Sequence, residues 1–554
     1  MDEAEPNLNT QTQSEPPKAQ ETPTTQTKSE SSAPPPVTTP TLESKHPKKS
    51  QQWLFLVIAI LVICVGIGAW YEFAHKSNNS TTTVKKDIPL ITYGYDNNPL
   101  NDFYPSPGAT NGPNTMNEQL FEGLVRFNNG TQIIPDLASS WTNPNTTTWI
   151  FTLKPNVYYH DGDVVTAQDV VYTWQQVNSE NQNVASVTTP TIKNVQALSN
   201  NTVEITTSAP DAILLNRLAG LWIIDSKAPK STPAWELGTG AYTVKPGTTP
   251  SANTLDLVAF NKWHGGHIYT KAINYVFYAD PDKATSALLA GKINLADNLT
   301  TANTNQIQKS KNYQVISPSS LYVDYVAFDT LNSSYATANP KIRQAIDLTI
   351  DPVAVLKAYG VTGSPINQVI PPQVPGSDPA ITRPAISLSE AQKLVQQAGY
   401  PNGVTITLGV GEPAAAAGQE MAKELATIGI TLKLDVATDE GTFFNNISSG
   451  AYEMFYEGNG TNIADASDVL SNWQAAPFYD NTTFDSQLTE ADQTFNPSQR
   501  LTELQQASQT LVTDNAYIPL FQHAYISAGN KGFVFPLGAY DNDLNAFFSD
   551  VYQQ

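Results

Sequence analysis

The chain has 554 residues and a formal net charge of −21, and only 15% of its residues are charged. This length exceeds one small core and predicts several globular units. Such an acidic chain lacks the basic surface that nucleic-acid binding requires, so nucleic acid is not expected as a partner. The single cysteine, Cys64, cannot form a disulfide within the chain.

The N-terminal part of the chain holds no predicted globular unit. Residues 1–52 are rich in Pro, Thr, Gln and Ser, which predicts a disordered tail. Residues 53–71, WLFLVIAILVICVGIGAWY, form an uncharged apolar run long enough for one transmembrane helix. The basic cluster Lys45–Lys49 precedes this run and predicts a cytoplasmic N-terminus, with residues 72–87 as an outer tether. A cleaved signal peptide is the alternative, but its apolar core would begin near the N-terminus.

The remaining chain alternates predicted strands and helices, which indicates an α/β fold. The first predicted strand is Ile88–Tyr95, and a later one, TWIFTLK, alternates apolar and polar residues. Between them, Thr115–Phe127 predicts an amphipathic helix, because its apolar residues recur at helical spacing. Asn339-Pro340 and Asp351-Pro352 each predict an N-cap followed by the first residue of a helix.

The stretch NVYYHDGDVVTAQDVVYTW places His160, Asp161, Asp163 and Asp169 within ten positions. A metal or acid–base site is one interpretation of these residues. Asp-Gly predicts a turn, however, and Thr166 with Asp169 fits a capping box at the start of a helix. A metal site needs ligands that converge, whereas this pattern distributes the acids over a turn and a helix end. The structural interpretation is therefore favoured.

The segment Gly409–Ala414, GVGEPA, fits the loose dinucleotide-binding pattern between a predicted strand and a predicted helix. Glu412 would bring a carboxylate next to the pyrophosphate, and Pro413 removes a backbone donor. A plain βαβ unit explains the same residues. The pair His264 and His267 has a metal-like spacing, but its two intervening glycines indicate a loop. No catalytic residue, metal or cofactor is therefore predicted.

Six blocks stand in a fixed order along the ectodomain: QLFEGLVRFNNGTQIIPDLASSWT, WIFTLKPNVYYHDGDVVTAQDVVYTW, LGTGAYTV, NPKIRQAIDLTID, EAQKLVQQAGYPNG and DNAYIPLF. In this order they resemble the extracellular solute-binding proteins of family 5, the dipeptide and oligopeptide receptors of ABC importers. The resemblance runs from about Ile88 to the C-terminus. Each block is weak alone, but six in the right order are specific.

The resemblance implies a periplasmic-binding-protein-like fold of type II, with two α/β lobes around a cleft, hinge strands and one extra inserted subdomain. The lobes would close around a ligand. Mapped onto this chain, lobe I comprises 88–114, 236–320 and 517–554, the inserted subdomain 115–235, and lobe II 321–516.

The resemblance also implies that ligand is contacted by two loops and by aromatic side chains. In the second loop, MFYEGNGTNIADASD, peptide receptors place an aspartate that pairs with the α-ammonium of the peptide. Alignment on Gly458 puts Asn459 at that position, and an asparagine supplies no charge. Asp465 or Asp468 could substitute for it. The first loop contributes Ser106, Pro107, Gly108, Ala109 and Thr110, and the aromatic candidates are Tyr325, Tyr456 and Trp473.

The function that the resemblance implies is capture of a di- or oligopeptide by a membrane-tethered, monomeric, non-enzymatic receptor that delivers it to ABC permease subunits. Three alternatives remain open. The ligand could be another solute of the family, such as a nickel chelate, a sugar or an opine. The chain could also be a ligand-sensing signalling receptor. An extracellular hydrolase is the rival from another class, and the structural explanations of the clustered aspartates argue against it.

Overall fold

The computed structural model describes six stretches of the chain and, at residues 182 and 183, the backbone alone. The predicted tail, the predicted transmembrane helix 53–71 and the loop Ser106–Thr110 lie outside the described residues. Within them, no helix combines the length and the apolar character that crossing a bilayer requires. The described stretches are 85–96, 116–128, 130–180, 182–474, 476–536 and 547–554.

The strands are, in chain order, β1 (Ile91–Tyr95), β2 (Val125–Phe127), β3 (Ile133–Pro135), β4 (Ala138–Asn145), β5 (Thr148–Leu153), β6 (Ile192–Ser199), β7 (Thr202–Thr207), β8 (Tyr242–Val244), β9 (Thr254–Ala259), β10 (Ala272–Phe277), β11 (Leu295–Ala296), β12 (Tyr313–Ile316), β13 (Ser319–Phe328), β14 (Gly363–Pro365), β15 (Val404–Gly411), β16 (Ile430–Ala437), β17 (Met454–Gly460), β18 (Tyr517–Ala524), β19 (Ser527–Asn530), β20 (Phe533–Val534) and β21 (Tyr552–Gln553).

The α-helices are α1 (Asn117–Leu120), α2 (Ala167–Glu180), α3 (Gln182–Thr188), α4 (Leu214–Leu218), α5 (Pro281–Leu289), α6 (Thr301–Ile307), α7 (Pro340–Asp347), α8 (Pro352–Tyr359), α9 (Leu388–Gln397), α10 (Ala415–Ala426), α11 (Glu440–Ser448), α12 (Ala466–Leu470), α13 (Thr482–Gln493) and α14 (Pro497–Thr513).

A seven-stranded sheet, in the order β12-β19-β11-β1-β10-β9-β8, forms the first lobe. Strand β1 runs parallel to both β10 and β11. The carboxyl ends of these three strands therefore share one edge of the sheet, the edge where α/β proteins usually bind ligands. The described chain leaves β1 at this edge through Asp96.

A six-stranded sheet, in the order β14-β18-β13-β17-β15-β16, forms the second lobe. Its β15, α10 and β16 are the predicted βαβ unit, with the two strands parallel. The prediction assigned 517–554 to the first lobe, but Tyr517–Ala524 forms β18 of this second sheet, paired with β13. The late IPLF stretch is therefore a buried strand of the second lobe, and the chain returns to the first lobe only after Ala524.

Two short crossings connect the lobes. The chain passes from β12 to β13 through residues 317–318, and it returns from β18 to β19 through residues 525–526. On either side of the crossings, Ile316 pairs with Ser527 and Ser319 pairs with Ala524. The two crossings therefore lie side by side, in the arrangement expected of a hinge.

A four-stranded antiparallel sheet, β4-β5-β7-β6, lies within the predicted inserted subdomain. Alternate residues of β5 are buried, as its sequence pattern predicted. Helix α2 begins after Thr166, and the Asp169 carboxylate accepts hydrogen bonds from the backbone N–H and the hydroxyl of Thr166, at 2.7 and 2.9 Å. The capping role of Asp169 is confirmed.

The predicted helix Thr115–Phe127 is wrong over most of its length. The helix ends at Leu120, an irregular segment follows, and Val125–Phe127 forms β2, paired with β3. Gly123 forms a bridge with Trp222, so tertiary pairing of the backbone competes successfully with helix propensity here. By contrast, Asn339 and Asp351 cap helices that begin at the next residue, as predicted.

Candidate functional site

A cavity of about 50 Å³ lies where the first lobe and the inserted subdomain meet one residue of the second lobe, Asn462. Its size suits a small chemical group rather than a whole ligand. The first lobe and the inserted subdomain supply the rest of the lining, which is Glu118, Gln119, Phe121, Glu122, Arg126, Phe127, Asp136, Ala219, Gly220, Trp222, Ala241, Trp263, Phe547 and Ser549.

The local sequence places the cavity's carboxylates through backbone contacts. In the block FEGLV, the N–H of Gly123 donates to Asp136 Oδ2 at 3.2 Å, and the N–H of Leu137 donates to the carbonyl of Gly123 at 2.9 Å. The carbonyl of Glu122 accepts from the N–H of Ile223, also at 2.9 Å. The EGL and PDLA blocks therefore bind each other and hold Glu122 and Asp136 at the same wall.

The turn LGTGAY packs against the backbone of α1, which directly precedes Glu122. The N–H of Gly240 donates to the carbonyl of Leu120 at 2.9 Å. A Cβ atom at Gly238 would lie 1.9 Å from the same carbonyl oxygen, so no side chain fits there. The glycines of this turn have a direct steric cause, because the turn passes in contact with the backbone of α1.

Glu122 and Asp136 are both buried, at 6% and 4% exposure. Burial raises the pKa of Asp136 to about 7, and the negative charge of neighbouring Glu122 is the second cause of this shift. Arg126, whose Nε lies 3.7 Å from Asp136 Oδ1, acts in the opposite direction. The wall therefore contains two carboxylates whose simultaneous ionisation is unfavourable.

The carboxylate of Glu122 also contacts the side chains of Trp263 and His264, at the start of the predicted histidine loop. Trp263 Nε1 donates to Glu122 Oε1 at 2.8 Å, and His264 Nε2 lies 3.1 Å from the same oxygen. One ligating atom each of Glu122, Asp136 and His264 lies within 4.8 Å of the others, a distance compatible with a metal ion. Protein groups already contact these carboxylates, with Trp263 and His264 at Glu122 and the Gly123 N–H and Arg126 at Asp136, so the arrangement is explained without a metal ion.

The aspartates of the DGD turn need a correction. The sequence pattern predicts that they do not converge, yet one carboxylate oxygen each of Asp161, Asp163 and Asp225 lies within 4.8 Å of the others. Asp161 accepts from the N–H of Asp163 at 2.9 Å, as a turn aspartate does, and both are exposed. Asp169 is not part of this group, because it caps α2.

Aromatic side chains make up much of the remaining lining. The rings of Phe121 and Trp222 are stacked, with centroids 6.2 Å apart. The guanidinium of Arg126 lies over the ring of Phe547, at 4.4 Å from its centroid. Rings of this kind contact both apolar groups and cations favourably.

The predicted loop of the second lobe reaches the cavity through a different residue from the expected one. Asn459 and Gly458 belong to β17 and pair with Val323 and Asp324. Asn462, three residues after Asn459, lines the cavity instead. Its backbone N–H donates to Asp468 Oδ2 at 2.7 Å, so the buried Asp468 holds the loop in place.

The two predicted substitute aspartates interact with protein groups. Both oxygens of Asp465 are bound by Arg500, and Asp465 also caps α12. Burial raises the pKa of Asp468, whose carboxylate faces the backbone of its own loop. The structure therefore shows Asp465 and Asp468 as supports of the loop, and ligand contact by either stays a prediction.

The three predicted aromatic residues are buried away from the cavity. Tyr325 and Trp473 pack together, with centroids 5.2 Å apart, and both also pack on Tyr517. The hydroxyl of Tyr456 donates to Asp324 Oδ2 at 2.6 Å. Trp473 is 1% exposed and Tyr325 2% exposed, which is the environment of core residues. Their contact with ligand stays a prediction.

The sequence interpretation missed the residues that form the cavity wall. Glu122 and Asp136 lie in the first of the six blocks, and that block indicates the family without assigning either residue a ligand. Glu118 and Arg126 fell within the predicted helix, whose amphipathic pattern gave them no role. The signal that could have identified them is the number of acidic residues within this short segment.

Two α/β lobes, joined by two adjacent crossings and lining one cavity together, define a two-lobe binding protein of the periplasmic type. The chain belongs to the family of bacterial extracellular solute-binding proteins, family 5: the sequence profile described as its "Middle" part matches residues 132–480. Members of this family are non-enzymatic substrate-binding components of ABC importers.

Individual relatives agree with this assignment. The probable D,D-dipeptide-binding periplasmic protein DdpA of Escherichia coli K12 is 26% identical over 488 residues, which cover 82% of this chain and 92% of DdpA. DppA of Helicobacter pylori, solved with the peptide STSA, has a TM-score of 0.66 at 21% identity, over 85% of this chain and 98% of DppA. NikA of Brucella suis, solved with Fe(III)-EDTA, has a TM-score of 0.72 at 17% identity, over 84% of this chain and 100% of NikA.

Proposed function

We propose that this chain captures a di- or oligopeptide between its lobes and delivers it to the permease subunits of an ABC importer. The observation that carries the proposal is the cavity lined by both the first lobe and Asn462 of the second. A ligand group in this position would contact both lobes, so binding would favour the closed arrangement that a permease recognises.

The chemistry of the lining supports a peptide. Charges of both signs, amide side chains and aromatic rings stand together, and a peptide carries an ammonium, a carboxylate and side chains that match them. The names of DdpA and of the DppA complex support the same ligand class. The NikA complex with Fe(III)-EDTA makes a metal chelate the first competitor to test.

We place the receptor at the membrane, outside the cytoplasm, as a monomer held by the predicted helix 53–71. Such a tether would raise its concentration near the permease. N-terminal sequencing of the protein from the membrane fraction checks the tether, and a mature start near residue 70 would contradict it.

Thermal unfolding of the full-length chain in detergent tests the ligand class. The panel contains di- to pentapeptides, sugars and metal chelates. A ligand at 100-fold excess over its Kd stabilises the folded state by about 2.7 kcal/mol, which is readily detected. A response to chelates or sugars without any response to peptides would overturn the proposal.

Two neighbouring asparagines provide a matched pair for locating the site. Asn462→Ala removes a side chain from the cavity, and we expect it to weaken peptide binding. Asn459→Ala removes a similar side chain from β17, outside the cavity lining, and serves as the control. A loss of affinity in Asn459→Ala alone would place the ligand elsewhere.

A further inference from the structure

Carboxylates outnumber cations in the cavity. Glu118, Glu122 and Asp136 line it together with a single guanidinium, that of Arg126. The charge of Arg126 is opposed by Asp136, 3.7 Å away, and its planar group is covered by a phenylalanine ring. The charge that remains is negative, and in a poorly hydrated space this field favours a positive group of the ligand.

Mutual repulsion within the wall leads to the same expectation. Glu122 and Asp136 are both buried, and the charge of Glu122 makes ionisation of Asp136 less favourable. The further charged or titratable groups that face Asp136 are Arg126, His264 and Lys154. A positive group that entered the cavity would offset the repulsion, so the wall would bind it more strongly than either carboxylate alone.

Ser549 lies at the same cavity and is 3% exposed. Its hydroxyl oxygen can accept a hydrogen bond from an N–H donor, which a cationic group of the ligand would supply.

The second lobe contributes polarity to this cavity but no charge. Asn462 can accept a hydrogen bond through its carbonyl oxygen, and Asp468, the nearest acid of its loop, is committed to the Asn462 backbone. The charged groups that a ligand cation would meet in this cavity therefore all lie in the predicted inserted subdomain, 115–235.

We infer that this cavity receives a cationic N–H group of the ligand, either an α-ammonium or a basic side chain, and that Glu118, Glu122 and Asp136 recognise its charge. The inference rests on the proposed function and extends it. The expected ligand is then a peptide that must carry a positive group. The carboxylates that bind this group lie outside the second-lobe loop, and the uncharged Asn462 covers it from the second lobe.

Calorimetric titration of the full-length chain with four peptides tests the inference and separates the two sources of charge. The peptides are Ala-Ala-Ala, its N-acetyl form, N-acetyl-Ala-Lys-Ala and N-acetyl-Ala-norleucine-Ala. If the α-ammonium is read, acetylation of Ala-Ala-Ala weakens binding at least tenfold. If a basic side chain is read, the lysine peptide binds at least tenfold more tightly than its norleucine counterpart. Equal affinities across all four would overturn the inference while leaving peptide binding intact.

The residue assignment is tested by Glu118→Gln, which keeps the shape of the side chain and removes its charge. We expect at least a tenfold loss of affinity for the preferred cationic peptide and no change for its neutral partner. Glu390→Gln is the control, because Glu390 pairs with Lys393 on the exposed face of α9. Equal effects of the two substitutions would overturn the assignment.

The pH profile gives a readout that a purely structural role would not produce. Affinity for the cationic peptide should rise between pH 5.5 and 7.5, because Asp136 loses its proton in this range. Asp136→Asn should flatten this rise. A flat wild-type profile would contradict the role of Asp136.

If no peptide binds, the proposed function fails, and the charge preference is still measured with small probes. n-Butylammonium, 1-butanol and butyrate share one carbon chain and differ in charge. The fluorescence of Trp222 and Trp263, which line the cavity, should respond to n-butylammonium alone and not in Glu118→Gln. A stronger response to butyrate would show that Arg126 binds an anion here, and the inference would be abandoned.

Discussion

Arg500 donates two hydrogen bonds to Asp465, from Nη1 to Oδ2 at 2.9 Å and from Nη2 to Oδ1 at 2.7 Å. Both side chains are largely buried. The pair joins α14 to the start of α12, directly after the loop that brings Asn462 to the cavity. The geometry therefore ties the position of a loop that lines the cavity to an ion pair between two protein side chains.

Replacing Arg500 by Ala should destabilise the folded state by about 3–5 kcal/mol, because it leaves Asp465 buried without its partner. Urea unfolding of the full-length chain measures this change. The double variant Arg500→Ala/Asp465→Asn should recover part of the loss, since the uncompensated charge is then absent. A single-variant loss below about 1 kcal/mol would show that the pair is solvated in solution.

Replacing Gly240 by Ala should destabilise the protein by about 1–3 kcal/mol, because the added methyl group overpacks a rigid contact. A Cβ atom there would lie 2.4 Å from the carbonyl oxygen of Gln119, which is backbone and cannot rotate away. Gly441→Ala in the first turn of α11 is the control, because its Cβ would have ordinary contacts and alanine favours a helix. Equal melting temperatures for the two variants would contradict the predicted clash.

Acidification should unfold the protein partly through His160. Burial lowers the pKa of this histidine to about 4, below its value of about 6.5 in an unfolded chain. A lowered folded-state pKa means that its contribution to stability is present above pH 6.5 and is lost as the pH falls toward 4. The full effect is on the order of 3 kcal/mol, from the size of this shift.

His160→Gln should therefore lose less stability than the wild type between pH 7 and pH 4.5, in urea unfolding at each pH. His267→Gln serves as the control, since its ring is about half exposed, and it should follow the wild type. Parallel curves for all three proteins would mean that His160 is protonated without penalty.

Trp473→Ala should cost about 3–5 kcal/mol of stability, because Trp473 fills the core between Tyr325 and Tyr517. Trp473→Phe keeps most of the packing and should retain peptide affinity within about twofold. A large loss of affinity in the phenylalanine variant, at unchanged stability, would return Trp473 to the ligand site that its sequence position suggested.

Local patterns predicted the elements whose causes are local. Asn339 and Asp351 cap the helices that they were expected to cap, and β5 alternates as its sequence does. The helix predicted for Thr115–Phe127 is wrong because its apolar residues, although spaced as in a helix, lie in three different environments. These are one helical turn, an irregular segment and a strand. The pairing of Gly123 with Trp222, ninety-nine positions away by their numbers, and the pairing of β2 with β3 explain that outcome.

The site was harder to predict than the fold, because a resemblance transfers positions and not side-chain contacts. A shift of three residues separates the expected Asn459 from Asn462, and no sequence pattern distinguishes the two in a loop without a matching aspartate. Likewise, Asp465 and Asp468 look available in the sequence, whereas the structure commits them to Arg500 and to the loop backbone. Whether a polar side chain can bind a ligand depends on which protein groups already contact it, and the sequence does not show those contacts.

The side-by-side crossings have a consequence for how the protein can be divided. Ile316 and Ser527 are direct strand partners, although the whole second lobe lies between them in the chain. The second lobe is thus a cassette inserted between two adjacent strands of a sheet that is complete without it. A short turn joining 316 to 527 would excise it cleanly, and the same junction could accept the second lobe of a relative with a different ligand. Specificity carried by that lobe could be exchanged as a unit, while the carboxylate wall stays with the host.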